Sequence, residues 1–330
     1  MNTILSGIQS SGSLHIGNYF GALRQHIQMQ EEGEAFYFIA NYHSMTSIQN
    51  GEERLKNTID IALDYLALGL DPTKCSFFVQ SDVPQVTELS WILSNFTPVS
   101  RMEKAVAYKD KVSKGEKANV GLFTYPILMA SDILIYNADL VPVGKDQKQH
   151  IEICRDLAGR FNNTYEDKLL KIPEEYTVES VAVVPGIDGR KMSKSYSNTI
   201  GIFDEGKELK KKVMSIETDS VPLDEPKDPE SCNVFALIKL FADEEQQKEI
   251  ADKYRAGGYG YGHAKNELLG MINEYFAEAR ERRKELAKDL DLVRDILNEG
   301  GKKARKRAEK VMKPIREVTG LYKNYRFSDD

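Results

Sequence analysis

The chain has 330 residues, of which 41% are hydrophobic and 29% charged, and a formal net charge of -6 at pH 7. That length suits a sizeable core and two domains, and the acidic total excludes a surface coated in positive charge for nucleic acid while allowing local basic patches. No stretch approaches the ~18 apolar residues of a membrane span. The N-terminus lacks the basic and apolar blocks of a signal peptide. Cys75, Cys154 and Cys232 are scattered, with no Cys-x-x-Cys pair, which points to a reducing, cytoplasmic setting without a disulfide framework or structural zinc.

Thr3–Gly7 reads as a short buried strand, followed by a Gln9–Gly12 loop and a helix from about Leu14 to Gln30. Phe36–Ala40 is a continuous apolar strand. Asn50, with Glu53 three positions on, predicts a capping box opening a helix whose Leu55, Ile59, Ala62 and Leu66 share one face, and Gly69 is placed to stop it. Cys75–Val79 predicts a third strand, with Asp82 capping the next helix and Pro84 in its first turn. This alternation implies a Rossmann-like parallel sheet with helices on both faces and ligands beyond the carboxyl ends of the strands.

From Met102 to about Phe161 the pattern is mainly helical, interrupted at the apolar Leu140–Val143, and a strand-like stretch returns at Val181–Val184. The expected organisation is a first half of a nucleotide-binding sheet over 1–103, a helical insertion over 104–175, a second half over 176–205, and a helical domain over 206–330. In that last part helices are expected at Lys207–Met214, Val234–Phe241, Glu244–Tyr254, Ala264–Asp289 and Lys302–Val318, with the acidic, Pro-rich Val221–Glu230 as a loop or linker. The tail from about 296 is expected to pack back on the domain formed by the two half-sheets.

Two stretches carry phosphate chemistry. Ser11–Asn18 follows the first strand and opens the first helix, whose free N–H groups and positive dipole end suit an anion. Gly17 and Gly21 leave room for a base or ribose against that helix. The stretch is neither a P-loop nor a dinucleotide fingerprint, because it lacks Gly-Lys-Ser/Thr and Gly-x-Gly-x-x-Gly. Far downstream, Lys191-Met192-Ser193-Lys194-Ser195 can lay two ammonium groups and hydroxyl or amide donors along a polyphosphate. No His, Cys and carboxylate spacing supports a metal site.

Together, His15-Ile16-Gly17-Asn18 and Lys191–Ser195 resemble the two signature motifs of class I aminoacyl-tRNA synthetases. Asn18 departs from the histidine of many class I members and is similar to the tryptophanyl form. Gly121–Leu134 resembles the amino-acid-binding helix of bacterial tryptophanyl-tRNA synthetases, and Val141–His150 resembles the segment that follows it there. The likeness runs from Ser6-Gly7-Ile8-Gln9 through Thr218-Asp219-Ser220 to the basic C-terminal helices.

The resemblance implies activation of L-tryptophan by ATP, with Mg2+ on the phosphates, and transfer of the aminoacyl group to the 3′ end of tRNA(Trp) by a homodimer. It assigns Lys191, Ser193, Lys194 and Lys111 to catalysis. It assigns ATP to Gln9, Ser10, Ser11, His15, Gly17, Asn18, Gly21, Gly144, Asp146, Val183, Lys191, Met192, Ser193 and Lys194, with Gly144 and Asp146 at the ribose and Val183 and Met192 at the adenine. Leu5, Gly7, His43, Tyr125, Met129, Asp132, Val141, Val143 and Gln147 are assigned to tryptophan. Basic runs at Lys207–Lys212 and Lys302–Arg307 become candidates for tRNA-backbone contacts.

Chemistry supports the amino-acid pocket independently. Tyr125, Met129 and Asp132 share one helix face. Indole is a large apolar plate with a single N–H donor, so its pocket needs apolar walls and one buried acceptor. Asp132 can be that acceptor, with Met129, Val141 and Val143 as walls and His43 as a lid, while Tyr125 and Gln147 hold the ammonium and carboxylate. Methionine at 129 favours tryptophan over tyrosine. The competing readings are a tyrosyl enzyme, a small-molecule adenylyltransferase that never touches tRNA, and a paralogue that only binds tryptophan.

Overall fold

Alternate residues of each strand point to opposite faces, and both faces of the strands Asn2–Ile8, Gly33–Ile39 and Cys75–Val79 are covered, so those strands are largely apolar. A computed structural model of the chain describes residues 2–10, 12–113, 118–143, 148–177 and 183–321. Among them, β1 (Asn2–Ile8), β2 (Gly33–Ile39), β3 (Cys75–Val79), β4 (Leu140–Val143) and β5 (Glu174–Thr177) form one sheet in the order β3-β2-β1-β4-β5. Every pairing is parallel. Ile4, Tyr37, Ile39 and Phe77 enter one core, and Leu5, Phe36, Phe38 and Phe78 the other. The strand order reverses between β1 and β4, so the crevice at their carboxyl ends is where a ligand belongs in such a sheet.

The Rossmann-like class is as expected, with several local differences. The 104–175 stretch is not only helical: it contributes β4 and the start of β5. Val181 and Ala182 lie outside the described residues, and Val183–Val184 is not a strand. The first helix is Ile16–Asn18, a wide π-helical turn Tyr19–Leu23, and Arg24–Met29 in unbroken succession. That turn sends the Tyr19 and Phe20 rings onto Tyr275 and Phe276 of the Tyr261–Leu286 helix and onto Phe241 in the turn after the Asn233–Ile238 helix. Asn50 does cap Gly51–Ala67, accepting from the Glu53 amide at 3.0 Å, yet Leu55 is 65% exposed because burial begins only at Thr58. Asp82 does not cap the Gln85–Ser94 helix: its carboxylate accepts from the Val79 amide at 3.3 Å, closing the turn before it. The Val221–Glu230 loop is tied by buried Lys227, whose ammonium donates to the carbonyls of Pro222, Leu223 and Glu225.

The last helix begins at Leu290, well before the expected Lys302, and runs to Val318 through Gly300 and Gly301. Tandem glycines weaken an isolated helix, but here they let it lie against β3. A Cβ at Gly300 would sit 1.8 Å from the Phe77 carbonyl oxygen. Arg305 donates to the Asp82 carbonyl at 2.7 Å, Arg307 to the Tyr136 carbonyl at 3.0 Å, and Arg316 to both carboxylate oxygens of Glu88 at 2.6 Å. Gly300→Ala is therefore expected to destabilise the fold by about 2 kcal/mol or more, through overpacking against backbone that cannot yield. The control is Gly270→Ala on the Tyr261–Leu286 helix, where an added Cβ meets nothing within 4 Å. It should stabilise by about 0.5–1 kcal/mol. Urea denaturation of the two variants checks the contrast.

Candidate active site

Two phosphate-suited elements distant in sequence are joined by backbone. The Ile16 amide donates to the Ile200 carbonyl at 3.0 Å and the Ile202 amide to the Leu14 carbonyl at 3.2 Å, making a short antiparallel bridge between His15 and Gly201. The start of the first helix is thereby fixed to the segment that leaves the lysine loop. A Cβ added at Gly12, where φ is +95°, would come 3.7 Å from the Lys194 ammonium. Met192 is buried, and its sulfur accepts from the Gly17 amide at 3.3 Å. A Cβ at Gly17 would stand 3.1 Å from the Met192 Cβ, so glycine permits this approach.

The helix start is self-capped. His15 Nδ1 accepts from the Asn18 amide at 3.2 Å, and Asn18 Oδ1 accepts from the His15 amide at 3.1 Å. Both are expected as ATP contacts, and each side chain accepts from the other residue's backbone amide. Burial, reinforced by the Lys194 ammonium, lowers the His15 pKa to about 4, so the ring is neutral near pH 7 and serves as the acceptor this cap requires. Lys194 is exposed, yet desolvation of its ammonium lowers its pKa, with the Asp64 carboxylate acting in the opposite direction. Gly21 is open: an added Cβ there meets nothing within 4 Å.

On the amino-acid side, the apolar Val120–Leu134 helix carries Tyr125, Met129 and Asp132, its start capped by Asn119. Asp132 is 2% exposed and is held from two sides. His43 Nε2 lies 2.8 Å from Oδ2, and Gln80 Nε2 donates to Oδ1 and Oδ2 at 2.8 and 2.9 Å. His43, expected as a lid, is a partner of this carboxylate. Desolvation raises the Asp132 pKa, and the bonds from His43 and Gln80 oppose the rise. A carboxylate has about four acceptor sites, so these donors leave capacity for one further N–H. Tyr125 meets His150 Nε2 at 2.9 Å through its hydroxyl. Beside His43 and Tyr125 lies a cavity of about 410 Å³, also lined by Met45, Thr87, Ser90 and Leu128.

At the sheet end, Leu5 and Val141 are buried, whereas Gly7 is exposed and held against the Phe38 ring. Gln9 donates to the His43 carbonyl at 3.2 Å, linking the phosphate side to the amino-acid side. Ser10 is fully buried. Val183, assigned to adenine, is 67% exposed, while Val184 turns into the core with Met192. Ser11, Gly144, Asp146, Gln147 and the side chains of Lys111 and Val143 lie outside the described residues. Among the described residues, no three His, Cys, Asp or Glu side chains are grouped as a metal site would need.

Three residues of this region were missed from sequence. Gln80, 1% exposed, holds Asp132 and accepts from the Tyr42 amide at 3.0 Å. Its signal is a polar residue directly after a buried strand. Asn198, 1% exposed, organises the lysine loop. Asp64, on the Gly51–Ala67 helix, takes the Arg283 guanidinium at 2.5 Å, and burial raises its pKa to about 6 against that pairing. An NMR titration of the imidazole signals should place His15 near pH 4 rather than 6.5. Because the unfolded chain then takes up its proton first, this residue penalises the fold progressively as pH falls from 6.5 toward 4 and contributes nothing above that window. A His15 midpoint near 6.5 would mean that the ring is solvated and the cap open.

A family model described as tRNA synthetases class I (W and Y) matches residues 1–277. The tryptophan–tRNA ligase of Fusobacterium nucleatum subsp. nucleatum is 55% identical over 324 residues, 98% of this chain and 99% of that protein. A tryptophan–tRNA ligase of Campylobacter jejuni is 52% identical over 318 residues, 96% of this chain and 99% of that one. Among solved structures, the tryptophanyl-tRNA synthetase of Campylobacter jejuni complexed with ADP and tryptophan superposes with a TM-score of 0.92 at 52% identity, covering 97% of this chain and 100% of that one. The synthetase from Mycoplasma pneumoniae gives 0.81 at 28% identity, covering 98% of each. With the family model spanning most of the chain and relatives this similar along nearly all of it, the chain belongs to the class I tRNA synthetases of the tryptophan and tyrosine family.

Proposed function

We propose that this chain is a tryptophan–tRNA ligase, which activates L-tryptophan with ATP to the adenylate and passes the aminoacyl group to the 3′ end of tRNA(Trp). The observation that carries the reading is the joining of His15–Asn18 to the lysine loop at one end of the site, with a buried, acceptor-competent Asp132 on an apolar helix at the other. The attacking carboxylate of tryptophan is already ionised at neutral pH, so no general base is required. Rate enhancement comes from positioning and from neutralising charge that builds on the phosphates. Lys191, Lys194 and Ser193 supply that neutralisation, with Lys111 as a further cation, and Mg2+ arrives as part of the MgATP substrate.

Gln9, Ser10, Ser11, Gly17 and Gly21 bound the ATP side, with Gly144 and Asp146 at the ribose and Met192 behind the adenine. Asp132 receives the indole N–H, and Met129 and Val141 wall the ring. Tyr125 and Gln147 hold the amino-acid end. The helical 206–330 region serves as the anticodon-binding part. A homodimer belongs to the same reading: Met45, Trp91 and Val120 are 48%, 72% and 76% exposed, large apolar side chains that a single copy leaves in water. A cytoplasmic location agrees with three free, buried cysteines. Among the described residues no helix is long and apolar enough to cross a membrane.

ATP–pyrophosphate exchange with tryptophan and with tyrosine tests the assignment; exchange supported by tyrosine alone would overturn it. In the same assay Asp132→Asn should raise the KM for tryptophan about tenfold or more, the cost of weakening a charge-assisted hydrogen bond, while ATP KM changes little. Lys194→Ala should slow adenylate formation about 100-fold in single-turnover measurements with tryptophan affinity unchanged. Normal activation by that variant removes the loop from its role.

A further inference from the structure

The lysine loop is closed by one side chain that the reaction itself does not require. Asn198 is 1% exposed, and its carboxamide uses both donors and its acceptor within the loop. Nδ2 donates to Asp188 Oδ1 at 2.7 Å and to the Lys191 carbonyl at 3.1 Å, while Oδ1 accepts from the Ser193 amide at 2.8 Å. Its own carbonyl accepts from the Ile187 amide at 3.0 Å. Gly186 lies flat against it: an added Cβ would be 2.3 Å from the carboxamide carbon. The second oxygen of Asp188 holds Arg190 at 2.7 Å, and that guanidinium lies 4.5 Å over the Tyr196 ring.

We infer that Asn198 is a positioning residue for ATP activation, tying both ends of the lysine loop together so that Lys191 and Lys194 meet the phosphates as one preset unit. The inference rests on the activation reading above. The loop is also held by the Gly186–Arg190 and Met192–Val184 backbone bonds and by buried Met192 against Gly17. Asn198 adds the side-chain link from Asp188 to Lys191 and Ser193, which lessens what ATP binding must order. With it, the Ser193 amide and the Lys191 carbonyl are held by the same carboxamide, so the backbone from Lys191 to Ser193 is fixed where it leads into Lys194. The residue type follows from the partners. Two acceptors, Asp188 Oδ1 and the Lys191 carbonyl, face one end, and one donor, the Ser193 amide, faces the other. Aspartate at 198 would set two carboxylates against each other where a 2.7 Å hydrogen bond now stands.

The test compares Asn198→Ala, Asn198→Asp and the reversed pair Asp188→Asn with Asn198→Asp, using full-length protein. Exchange kinetics are measured against ATP and against tryptophan, and hydrogen exchange is followed at the Ser193 amide. Asn198→Ala should lower kcat/KM for ATP roughly tenfold or more, the scale expected of a misplaced catalytic group, and leave tryptophan KM within about twofold. Ser193 should lose its protection. Asn198→Asp should be worse, and the reversed pair should recover part of the loss because a donor again faces an acceptor. The inference is overturned by a wild-type kcat/KM for ATP in Asn198→Ala, by equal losses for both substrates, or by a reversed pair no better than Asn198→Asp. If the wild-type protein exchanges with neither amino acid, the activation reading fails and takes this role with it. In that case Ser193 protection still reports separately whether Asn198 closes the loop.

Discussion

Two backbone hydrogen bonds, from the Ile16 amide to the Ile200 carbonyl and from the Ile202 amide to the Leu14 carbonyl, hold the site together. They are ordinary bonds, each worth about 1 kcal/mol net. Their importance is geometric, because they join the His15–Asn18 helix start to the segment that follows the lysine loop. Everything on the ATP side follows from them: the Gly17 amide reaches the Met192 sulfur, Gly12 faces Lys194, and neutral His15 caps its own helix. The nearby Asp64–Arg283 pair continues this frame into the C-terminal helices, since Arg283 belongs to the Tyr261–Leu286 helix. Arg280 of the same helix donates to the Ile202 carbonyl at 3.0 Å. The phosphate end is thus braced by backbone in front and by two guanidinium groups behind.

The amino-acid side is built on the opposite principle, a single buried charge that must be satisfied. An unpaired carboxylate at the Asp132 position would cost several kcal/mol. Gln80 and His43 meet that cost, and in doing so they fix the carboxylate so that its remaining acceptor capacity has one direction. A ligand with an N–H donor completes the set, whereas a ring without one leaves an acceptor unpaired. A carboxylate held in this way can discriminate against rings lacking such a donor by hydrogen bonding as well as by pocket volume. Gln9 connects the two principles, since its amide spans from the phosphate loop to the His43 carbonyl.

Much of this was legible in the residues because it depends on local pattern. Apolar runs marked β1 to β3, the Asn50 cap was visible in its spacing, and the shared helix face of Tyr125, Met129 and Asp132 follows from periodicity. The remainder depends on partners distant in the chain. Leu140–Val143 looks like an interruption between helices until β1 is beside it, and only the sheet makes it a strand. Asp82 has the residue type of a cap, but the turn formed by β3 claims its carboxylate first. Gln80 and Asn198 are single polar residues with no motif of their own, and nothing local says that they will be buried. Gly300-Gly301 is the sharpest case. By propensity it is a helix stop, and only the Phe77 carbonyl shows that it is a contact surface.

The same dependence on distant partners divides the basic C-terminal run. Lys302–Arg307 reads as one cationic block, but Arg305 and Arg307 are turned inward onto the Asp82 and Tyr136 carbonyls, and Lys302 pairs with Glu299. Lys303, Lys306, Lys310 and Lys313 stay exposed, three and four residues apart on one stripe of the helix. The division follows side-chain chemistry. A guanidinium forks rigidly onto carbonyl oxygens and suits a packed contact, whereas an ammonium on a flexible stem is a point charge suited to phosphate. Removing the arginines would loosen the helix from the Asp82 turn and from Tyr136 and Thr3, so their loss would register in stability. The charged block is therefore divided on one helix, an inner set that fastens and an outer set that stays in solvent.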